Sequence, residues 1–354
     1  MFEIAHEGRL VKQNVFTSAV SQDRQGFLTH IPSDDDTMTQ PKKSIAVCVI
    51  TYNQRDYLIE LIDSILAQTR MPDQIVIVDD ASPDDSADVL RQYERDHPGL
   101  FTIKLNETNL GISANRHFAI QQSRCDLTTY ADGDDLYYPE KLRLEEQCLL
   151  DNPDAGFVYS NMNMIDENSK VIRPWTTKPE ELPTGNIFES VVAHEFPGQI
   201  HCRFLLTDTE SLVEATKHSQ SFTLYEDLAV YMHLSSFMKC AVVNEINHGY
   251  RQHAKGMHRT HRETHFIGLQ EVKEYFHHLF VQLEPRERKR IEKKCNHVMA
   301  GYAWRAIKDH YRSPTELSKK RVIILAKDAI RLRPSSVRPK HALRILATQL
   351  KSAR

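Results

Sequence analysis

Several features that define common protein classes are missing from this sequence. No apolar run approaches the roughly 20 residues that a membrane-spanning helix needs. The opening residues, MFEIAHEGRLVKQNVF, lack the basic and then apolar layout of a signal peptide. The six cysteines are scattered with no CxxC pair, which argues against a disulfide framework or a zinc site. We therefore expect a cytoplasmic protein with reduced thiols.

What the sequence does contain divides into three parts. Residues 1–43 are polar, which is typical of an extension or linker, with one short strand near Val11–Val15. Residues 44–260 mix strand and helix patterns, and residues 261–354 are helical by period. A chain of 354 residues is long enough for one large α/β domain with a smaller helical appendage.

The middle part begins with alternating strands and helices. Apolar β-branched runs predict strands at Ser44–Ile50, Gln74–Val78, Phe101–Leu105 and Leu127–Ala131. Helical spacing predicts the connecting helices at Asp56–Gln68, Ser86–Asp96 and Ile112–Ser123. This alternation predicts a Rossmann-like, doubly wound, mostly parallel sheet. Weaker patterns further on predict strands near Gly156–Asn161 and His201–Thr207, and helices at Phe266–Leu283, Arg286–His310 and Glu316–Arg331.

Polar residues follow each of the first four predicted strands. Thr51-Tyr52-Asn53 follows the first strand, and Asp79-Asp80-Ala81-Ser82 follows the second. Asn109-Leu110-Gly111 follows the third, and Asp132-Gly133-Asp134-Asp135 follows the fourth. Because ligands of a doubly wound sheet bind beyond the carboxyl ends of its strands, these loops are the candidate site.

The loop after the fourth strand holds three carboxylates within four residues, Asp132, Asp134 and Asp135. Such groups repel one another unless a cation lies among them, and their hard oxygens suit Mg²⁺ or Mn²⁺. A metal-bound diphosphate is a better leaving group, because the cation neutralises the developing charge. The alternative is an acidic surface turn, since Asp-Gly is a common turn dipeptide.

The order VCVITYN, IVIVDDAS, NLGISANR and YADGDDLYYPEKL closely resembles the family 2 glycosyltransferases. The resemblance implies a GT-A fold over residues 44–260, with a nucleotide-sugar-binding half at 44–140 and an acceptor half at 141–260. It implies an inverting, metal-dependent transfer from a nucleotide-diphosphate sugar, with a UDP-sugar favoured, to a saccharide or lipid-linked saccharide. The expected setting is cell-surface polysaccharide or glycolipid assembly.

The resemblance also implies roles for donor-site residues. Tyr52 is a candidate to stack on the nucleotide base, and Asp80 resembles the carboxylate that accepts from it. Arg116 could face the diphosphate. The full donor set that the resemblance implies is Ile50, Thr51, Tyr52, Asn53, Asp79, Asp80, Ser82, Asn109, Gly111, Arg116, Asp132 and Gly133.

Metal and catalytic roles come from the same resemblance. Asp132 resembles the first acid of the DxD motif, and Asp134 the acid that binds the metal directly. Glu226-Asp227 resembles the ED motif, in which Asp227 would be the general base and Glu226 would support it. Acidic residues also favour a helix start, which is the alternative for this pair. His253, in a YRxH element, is either a metal ligand or an ordinary structural histidine.

Two rival functions stay open at this stage. A nucleotidyltransferase acting on a sugar phosphate usually has a Gly-rich loop after the first strand, but TYNQRDY holds no glycine. A non-catalytic nucleotide-sugar-binding scaffold would not need the carboxylates and the ED pair that this chain keeps. The QxxRW element of processive synthases is absent, which favours the transfer of one or a few sugars.

The C-terminal part is strongly cationic. From Arg286 to Arg354 there are 20 Lys and Arg against 5 Asp and Glu, a net charge of +15, so the rest must carry −18 to give −3. The segment His341–Leu350 has apolar positions at helical spacing beside cationic ones. The tail could therefore contact an anionic membrane peripherally, at the inner face of the cell membrane. A solvated bundle or a homodimer contact are the alternatives, and no nucleic-acid-binding module is evident.

Overall fold

The computed structural model describes residues 42–193, 205–220, 222, 224–253, 262–277, 281, 283–312 and 319–336. The strand expected near Val11–Val15 and the segment His341–Leu350 lie outside the described residues. Cys202 and the start of the strand expected at His201–Thr207 also lie outside them.

The first half of the sheet consists of four strands, which three helices connect. The strands are β1 (Ile45–Thr51), β2 (Gln74–Asp79), β3 (Phe101–Leu105) and β4 (Leu127–Asp132). The helices are α1 (Arg55–Leu66), α2 (Ser86–Asp96) and α3 (Ile112–Gln121). Every residue of β1, β2 and β4 is buried, as expected of strands covered on both faces. Each element lies within two residues of its predicted bounds.

The second half is more irregular, and the sequence predicted less of it. The strands are β5 (Leu136–Tyr137), β6 (Ala155–Ile165), β7 (Val171–Pro174), β8 (Leu206–Asp208) and β9 (Lys239–Arg251). The helices are α4 (Lys141–Asp151), α5 (Phe188–Val192), α6 (Thr209–Ser219) and α7 (Glu226–Ser235). Short 3₁₀ turns lie at Pro179–Glu181 and Pro334–Ser336. The long strand β9 had no counterpart in the predicted pattern.

Three helices follow in the C-terminal part. They are α8 (Arg262–Tyr275), α9 (Pro285–Arg312) and α10 (Lys319–Leu332). Their presence agrees with the helical period of the sequence. No helix among the residues that the structure describes is long and apolar enough to cross a bilayer.

The nine strands of the described residues form one sheet in the order β3-β2-β1-β4-β8-β6-β9-β5, with β7 paired to β6. The four longest ladders are parallel, and the shorter ones are antiparallel. The predicted doubly wound, mostly parallel sheet is therefore confirmed. The parallel register places Thr51 beside Asp79 and Ile50 beside Asp132. The carboxyl ends of β1, β2 and β4 thus meet at one edge.

The hydrophobic core lies on both faces of the sheet. Alternate residues of β1 point to opposite faces, so that Val47 and Val49 join one buried cluster and Cys48 and Ile50 the other. The second cluster also contains Phe266 and other residues of α8, α9 and α10. The C-terminal helices therefore share a core with the sheet, and the described residues from Lys43 onward belong to one compact unit.

Candidate active site

Two left-handed residues turn the chain beyond β1 and β2. Asn53 has a φ of 55° and Ala81 a φ of 62°, a region that L-residues other than Asn and Asp rarely adopt. The Asn53 amide donates to the Ser82 hydroxyl at 2.9 Å. The Asp80 amide donates to the Thr51 carbonyl at 2.9 Å. The two loops are thus hydrogen-bonded to each other and form one surface.

Asp80 holds the turn that precedes α3. Its Oδ1 accepts from the Asn106 side chain at 2.9 Å and from the Leu110 amide at 2.8 Å. Its Oδ2 accepts from the Gly111 amide at 2.9 Å, and its carbonyl from the Asn109 side chain at 3.3 Å. Gly111 has a φ of 84°, which only glycine adopts readily. Asn109 and Gly111 are therefore placed through Asp80.

Asp79 is equally buried but less fully engaged. Its Oδ1 accepts from the Ser82 amide at 2.8 Å. Its Oδ2 is buried with no hydrogen-bond partner among the described residues, and the same is true of the Thr51 Oγ1 on the neighbouring strand. Buried polar groups are nearly always hydrogen-bonded in native proteins, so these two atoms mark a place where a ligand could bond.

The three carboxylates that follow β4 do converge. One oxygen each of Asp132, Asp134 and Asp135 lies within 4.8 Å of the others. The Gly133 amide donates to the Ile50 carbonyl at 2.8 Å, which holds the loop against β1. Carboxylates this close repel one another, and cationic groups nearby offset that repulsion.

Arg116 is the buried cation that faces Asp132. It is 2% exposed, and its Nη2 lies 2.9 Å from Asp132 Oδ1 and 3.1 Å from Glu226 Oε1. Its guanidinium stacks over the Tyr130 ring, 4.7 Å from the centroid. One side chain of α3 therefore joins the loop after β4 to the start of α7, although 110 residues separate Arg116 from Glu226.

His253 and Arg251 reach the same loop from β9. His253 Nε2 lies 2.9 Å from Asp134 Oδ2, and the Arg251 Nε donates to the Asp134 carbonyl at 2.8 Å. Arg251 is buried, pairs with Glu60 at 2.7 Å and stacks over Tyr57 at 4.4 Å. The structure thus brings His253 to the carboxylate cluster, as the resemblance suggested. Arg251 belongs to the same YRxH element, but the sequence pattern assigned it no role.

A buried ion pair lies behind the cluster. Lys141 and Glu145 are both 0% exposed and lie 2.5 Å apart. The Ser160 hydroxyl donates to Glu145 at 2.6 Å. Burial lowers the pKa of Lys141, and the nearby carboxylates of Glu145 and Asp135 act in the opposite direction. The Lys141 amine thus lies within electrostatic range of Asp135. The sequence pattern gave neither residue a role, because Lys141 stood out only as part of the YADGDDLYYPEKL motif and no local signal marks Glu145.

The ED pair opens α7 directly after a left-handed residue. Tyr225 has φ 65° and ψ 25°, and α7 begins at Glu226. Glu226 is buried against Arg116, whereas Asp227 is partly exposed and its Oδ1 accepts from the Leu228 amide at 2.7 Å. The helix N-terminus favours both carboxylates. The two neighbours therefore differ: Glu226 faces inward to a cation, and Asp227 is accessible to solvent.

The model of Glycosyl transferase family 2 matches residues 46–206, from β1 to the start of β8. All four loops and the carboxylate cluster lie within that span. Residues 46–206 are a family 2 glycosyltransferase domain. The ED pair and His253 lie beyond the matched residues, but they contact the domain through Arg116 and Asp134.

Curated relatives agree with this glycosyltransferase domain. A Bacillus subtilis protein, TuaG, named for teichuronic acid biosynthesis, is 24% identical over 56% of this chain and 74% of its own. An uncharacterized Mycobacterium tuberculosis protein is 34% identical over 35% of this chain. An uncharacterized glycosyltransferase of Methanocaldococcus jannaschii is 30% identical over 40% of it. The matches span only 36% and 48% of those last two proteins.

Solved structures support the GT-A fold of the glycosyltransferase domain. Crystal structures of Staphylococcus aureus TarS residues 1–349 align over 82% of this chain and 81% of theirs, at 16% identity. The TM-score is 0.58 for TarS alone and 0.59 for its complex with UDP-GlcNAc. At this identity the similarity concerns the fold, and the predicted GT-A fold is confirmed.

The predicted donor-site residues of the glycosyltransferase domain differ in their exposure to solvent. Tyr52 is 48% exposed, so its ring is open to a planar ligand. Ile50, Thr51 and Gly133 are buried parts of the sheet edge. The roles assigned to individual site residues stay predictions.

Proposed function

We propose that this protein transfers a sugar from a nucleotide-diphosphate donor to an acceptor hydroxyl, with inversion at the anomeric carbon. The observation that carries the proposal is the position of Arg116 between Asp132 and Glu226. Because of this contact, the loop expected to bind the donor lies beside the ED pair. A donor held at the carboxylate loop would therefore have an acidic residue of the ED pair within reach of its reacting carbon.

The nucleotide would bind over the loops that follow β1 and β2. Tyr52 offers an exposed ring for base stacking. The buried Asp79 Oδ2 and Thr51 Oγ1 offer polar groups that no described residue engages. We favour a UDP-sugar, because the structurally similar TarS has been crystallised with UDP and with UDP-GlcNAc.

The residues of the carboxylate cluster fit a divalent cation. Asp132 and Asp134 supply hard oxygen ligands from one converging loop, and His253 could add an imidazole nitrogen from β9. When bound, Mn²⁺ or Mg²⁺ would neutralise charge on the departing diphosphate. Arg116 already places a permanent positive charge beside Asp132. The protein itself would therefore share in stabilising that charge.

Asp227 is the residue that we assign to the acceptor. Its carboxylate would take the proton from the attacking hydroxyl as the new bond to the anomeric carbon forms. The bond from that carbon to the diphosphate oxygen breaks on the opposite side, so configuration inverts. Glu226 would support the reaction by holding Arg116, at 3.1 Å, rather than by moving a proton.

We place the reaction in polysaccharide or glycolipid assembly. The support is the similarity to TuaG, which is named for teichuronic acid biosynthesis. A saccharide or lipid-linked saccharide is then the acceptor class. The cationic C-terminal helices would hold the enzyme near such an acceptor by contacting anionic lipid.

Turnover of nucleotide sugars tests the proposal. A panel of UDP-, GDP- and dTDP-sugars is incubated with saccharide acceptors, with Mn²⁺ or with EDTA, and products are followed by mass spectrometry. We expect transfer that needs the cation, and its abolition by Asp134→Ala. Asp227→Asn should lower kcat by about 10²- to 10⁴-fold, the usual contribution of a general base, while calorimetry shows unchanged nucleotide binding.

Asp88→Asn, at an exposed position of α2, is the matched control and should behave like the wild type. Release of pyrophosphate from a sugar phosphate and a nucleoside triphosphate would point to a nucleotidyltransferase instead. Nucleotide-sugar binding with no turnover of any kind would point to a scaffold. Wild-type transfer rates in Asp227→Asn would rule out the base assignment.

A further inference from the structure

Tyr225 has a backbone conformation that its residue type disfavours. Its φ of 65° and ψ of 25° are left-handed, and a bulky residue rarely adopts this region. Such outliers persist only where surrounding contacts hold them in place. Tyr225 lies directly before Glu226 and Asp227, and its carbonyl accepts from the Ala229 amide at 3.0 Å in the first turn of α7. Its conformation therefore sets the direction in which that turn begins.

Two C-terminal helices supply the contacts that hold Tyr225. The Tyr302 side chain of α9 lies close enough to the Tyr225 hydroxyl to interact with it. The Arg305 guanidinium, one turn further along α9, stacks over the Tyr302 ring at 4.2 Å. Both rings pack against the larger hydrophobic cluster, which α8 and α9 help to build. The hydroxyl end of Tyr225 therefore lies against a residue that is itself packed in the core.

Helix α8 presses on the same turn from another side. Gly268 lies so close that a Cβ there would come within 3.0 Å of Tyr225 Cδ2 and 3.1 Å of Leu224 Cβ. Contacts of that length are tighter than nearly all those made by real Cβ atoms. A side chain at this position would have to displace its neighbours by a few tenths of an ångström. Helix α8 therefore packs closely against the backbone just before the ED pair.

We infer that Tyr302 and Gly268 are positioning residues that hold Tyr225 left-handed and thereby aim Asp227 at the acceptor. The inference rests on the proposed function, because it takes Asp227 as the general base. It makes the C-terminal helices part of the catalytic machinery, although they lie beyond the family match. Neither positioning residue touches the substrate; both act through Tyr225.

The first test removes a hydroxyl and keeps the ring. Tyr302→Phe should lower kcat about tenfold, equivalent to about 1.4 kcal/mol, and leave the KM for the nucleotide sugar within twofold, because only the orientation of Asp227 changes. Gly268→Ala should act in the same direction. Tyr93→Phe on α2, where the lost hydroxyl bonds Asp63, makes the same chemical change outside the site and should leave both constants unchanged. A wild-type kcat in Tyr302→Phe would overturn the inference.

A second test asks whether the effect passes through Tyr225. Tyr225→Gly and Tyr225→Ala both lose the ring, but only glycine adopts φ 65° freely. The glycine variant should be at least fivefold more active than the alanine variant. Adding Tyr302→Phe to Tyr225→Gly should cause no further loss. A full tenfold further loss would show that Tyr302 acts by another route.

Amide exchange separates this inference from the proposed function. In Tyr302→Phe, the Ala229 amide should exchange at least fivefold faster than in the wild type, whereas the melting temperature should change little. If the wild-type protein turns over no nucleotide sugar, the proposed function fails, and the exchange result still decides whether Tyr302 holds the turn. If Asp227→Asn is inactive but Tyr302→Phe is unchanged in turnover and exchange, the inference alone fails.

Discussion

At the scale of single residues, Gly133 shows why the carboxylate loop has its sequence. Its amide bonds to Ile50, so the loop lies directly on the end of β1. A Cβ at this position would lie 2.8 Å from Thr51 Oγ1 and 2.9 Å from Thr51 Cβ. The second of these atoms is next to the backbone and cannot rotate away. A glycine between two aspartates therefore lets the cluster form.

Gly133→Ala should separate the cluster from β1. We expect a loss of stability of about 1–3 kcal/mol from overpacking, and a loss of metal-dependent turnover of at least tenfold. Thermal unfolding and the transfer assay measure the two effects. Gly301→Ala is the control, since a Cβ there meets nothing closer than 3.7 Å and alanine favours a helix. Normal turnover in Gly133→Ala would contradict this account of the loop.

Arg116 is a second residue whose role depends on the side chains that surround it. The resemblance suggested that it faces the diphosphate, and the structure adds that it bridges Asp132 and Glu226 from a buried position. Arginine stays charged at any relevant pH and can bond two carboxylates at once. A lysine at this position would offer one point charge instead. The contact explains why the ED pair and the DxD loop lie side by side.

At the scale of elements, β9 completes the site. It is 13 residues long and pairs with β6 in parallel and with β5 in antiparallel. The pairing of Leu136 with Gly249 fixes the end of β9 beside the carboxylate loop. Arg251 and His253 then contact Asp134. An element that the sequence pattern did not predict thus carries Arg251 and leads directly to His253.

Arg251→Lys tests the contribution of β9. Lysine keeps the charge but cannot donate at once to the Asp134 carbonyl and to Glu60, as the forked guanidinium does. We expect a roughly tenfold lower kcat/KM for the nucleotide sugar, because Asp134 loses its support, about 1.4 kcal/mol. Steady-state kinetics at saturating Mn²⁺ measure it. Arg173→Lys on β7 should be silent, and equal losses in both variants would refute a specific role.

At the scale of the whole molecule, the C-terminal helices have an apolar side and a cationic side. Their apolar faces join the core of the sheet, and α9 is tied to α5 through Lys294 and Glu189 at 3.1 Å. Cationic side chains such as Lys289, Lys293 and Arg331 are exposed on the outside. A cationic surface on a folded bundle can attract anionic lipid without any membrane-spanning segment.

Vesicle sedimentation tests this surface. The full chain should bind vesicles of 30% phosphatidylserine at 50 mM salt and be released at 500 mM, because salt screens exposed charges. Lys289→Glu with Lys293→Glu should weaken binding at least about 30-fold, because two lost cationic charges at about 1 kcal/mol each amount to about 2 kcal/mol. Arg91→Glu with Arg95→Glu on α2 is the control and should bind normally. Equal binding to neutral vesicles, or binding that resists salt, would contradict the electrostatic account.

The sequence alone determined the local elements of the first half and the loops that hold the candidate donor site. Strands buried on both faces appear as unbroken apolar runs, and each is followed by the polar residues of its loop, so both signals are local in the chain. The family resemblance already suggested Glu226 and His253, but only the tertiary structure decided which atoms of distant residues meet at the site. Glu226, Arg251 and His253 reach it through strand register and helix packing across more than 100 residues. Buried partners such as Lys141 and Glu145 likewise depend on packing, which no local pattern encodes.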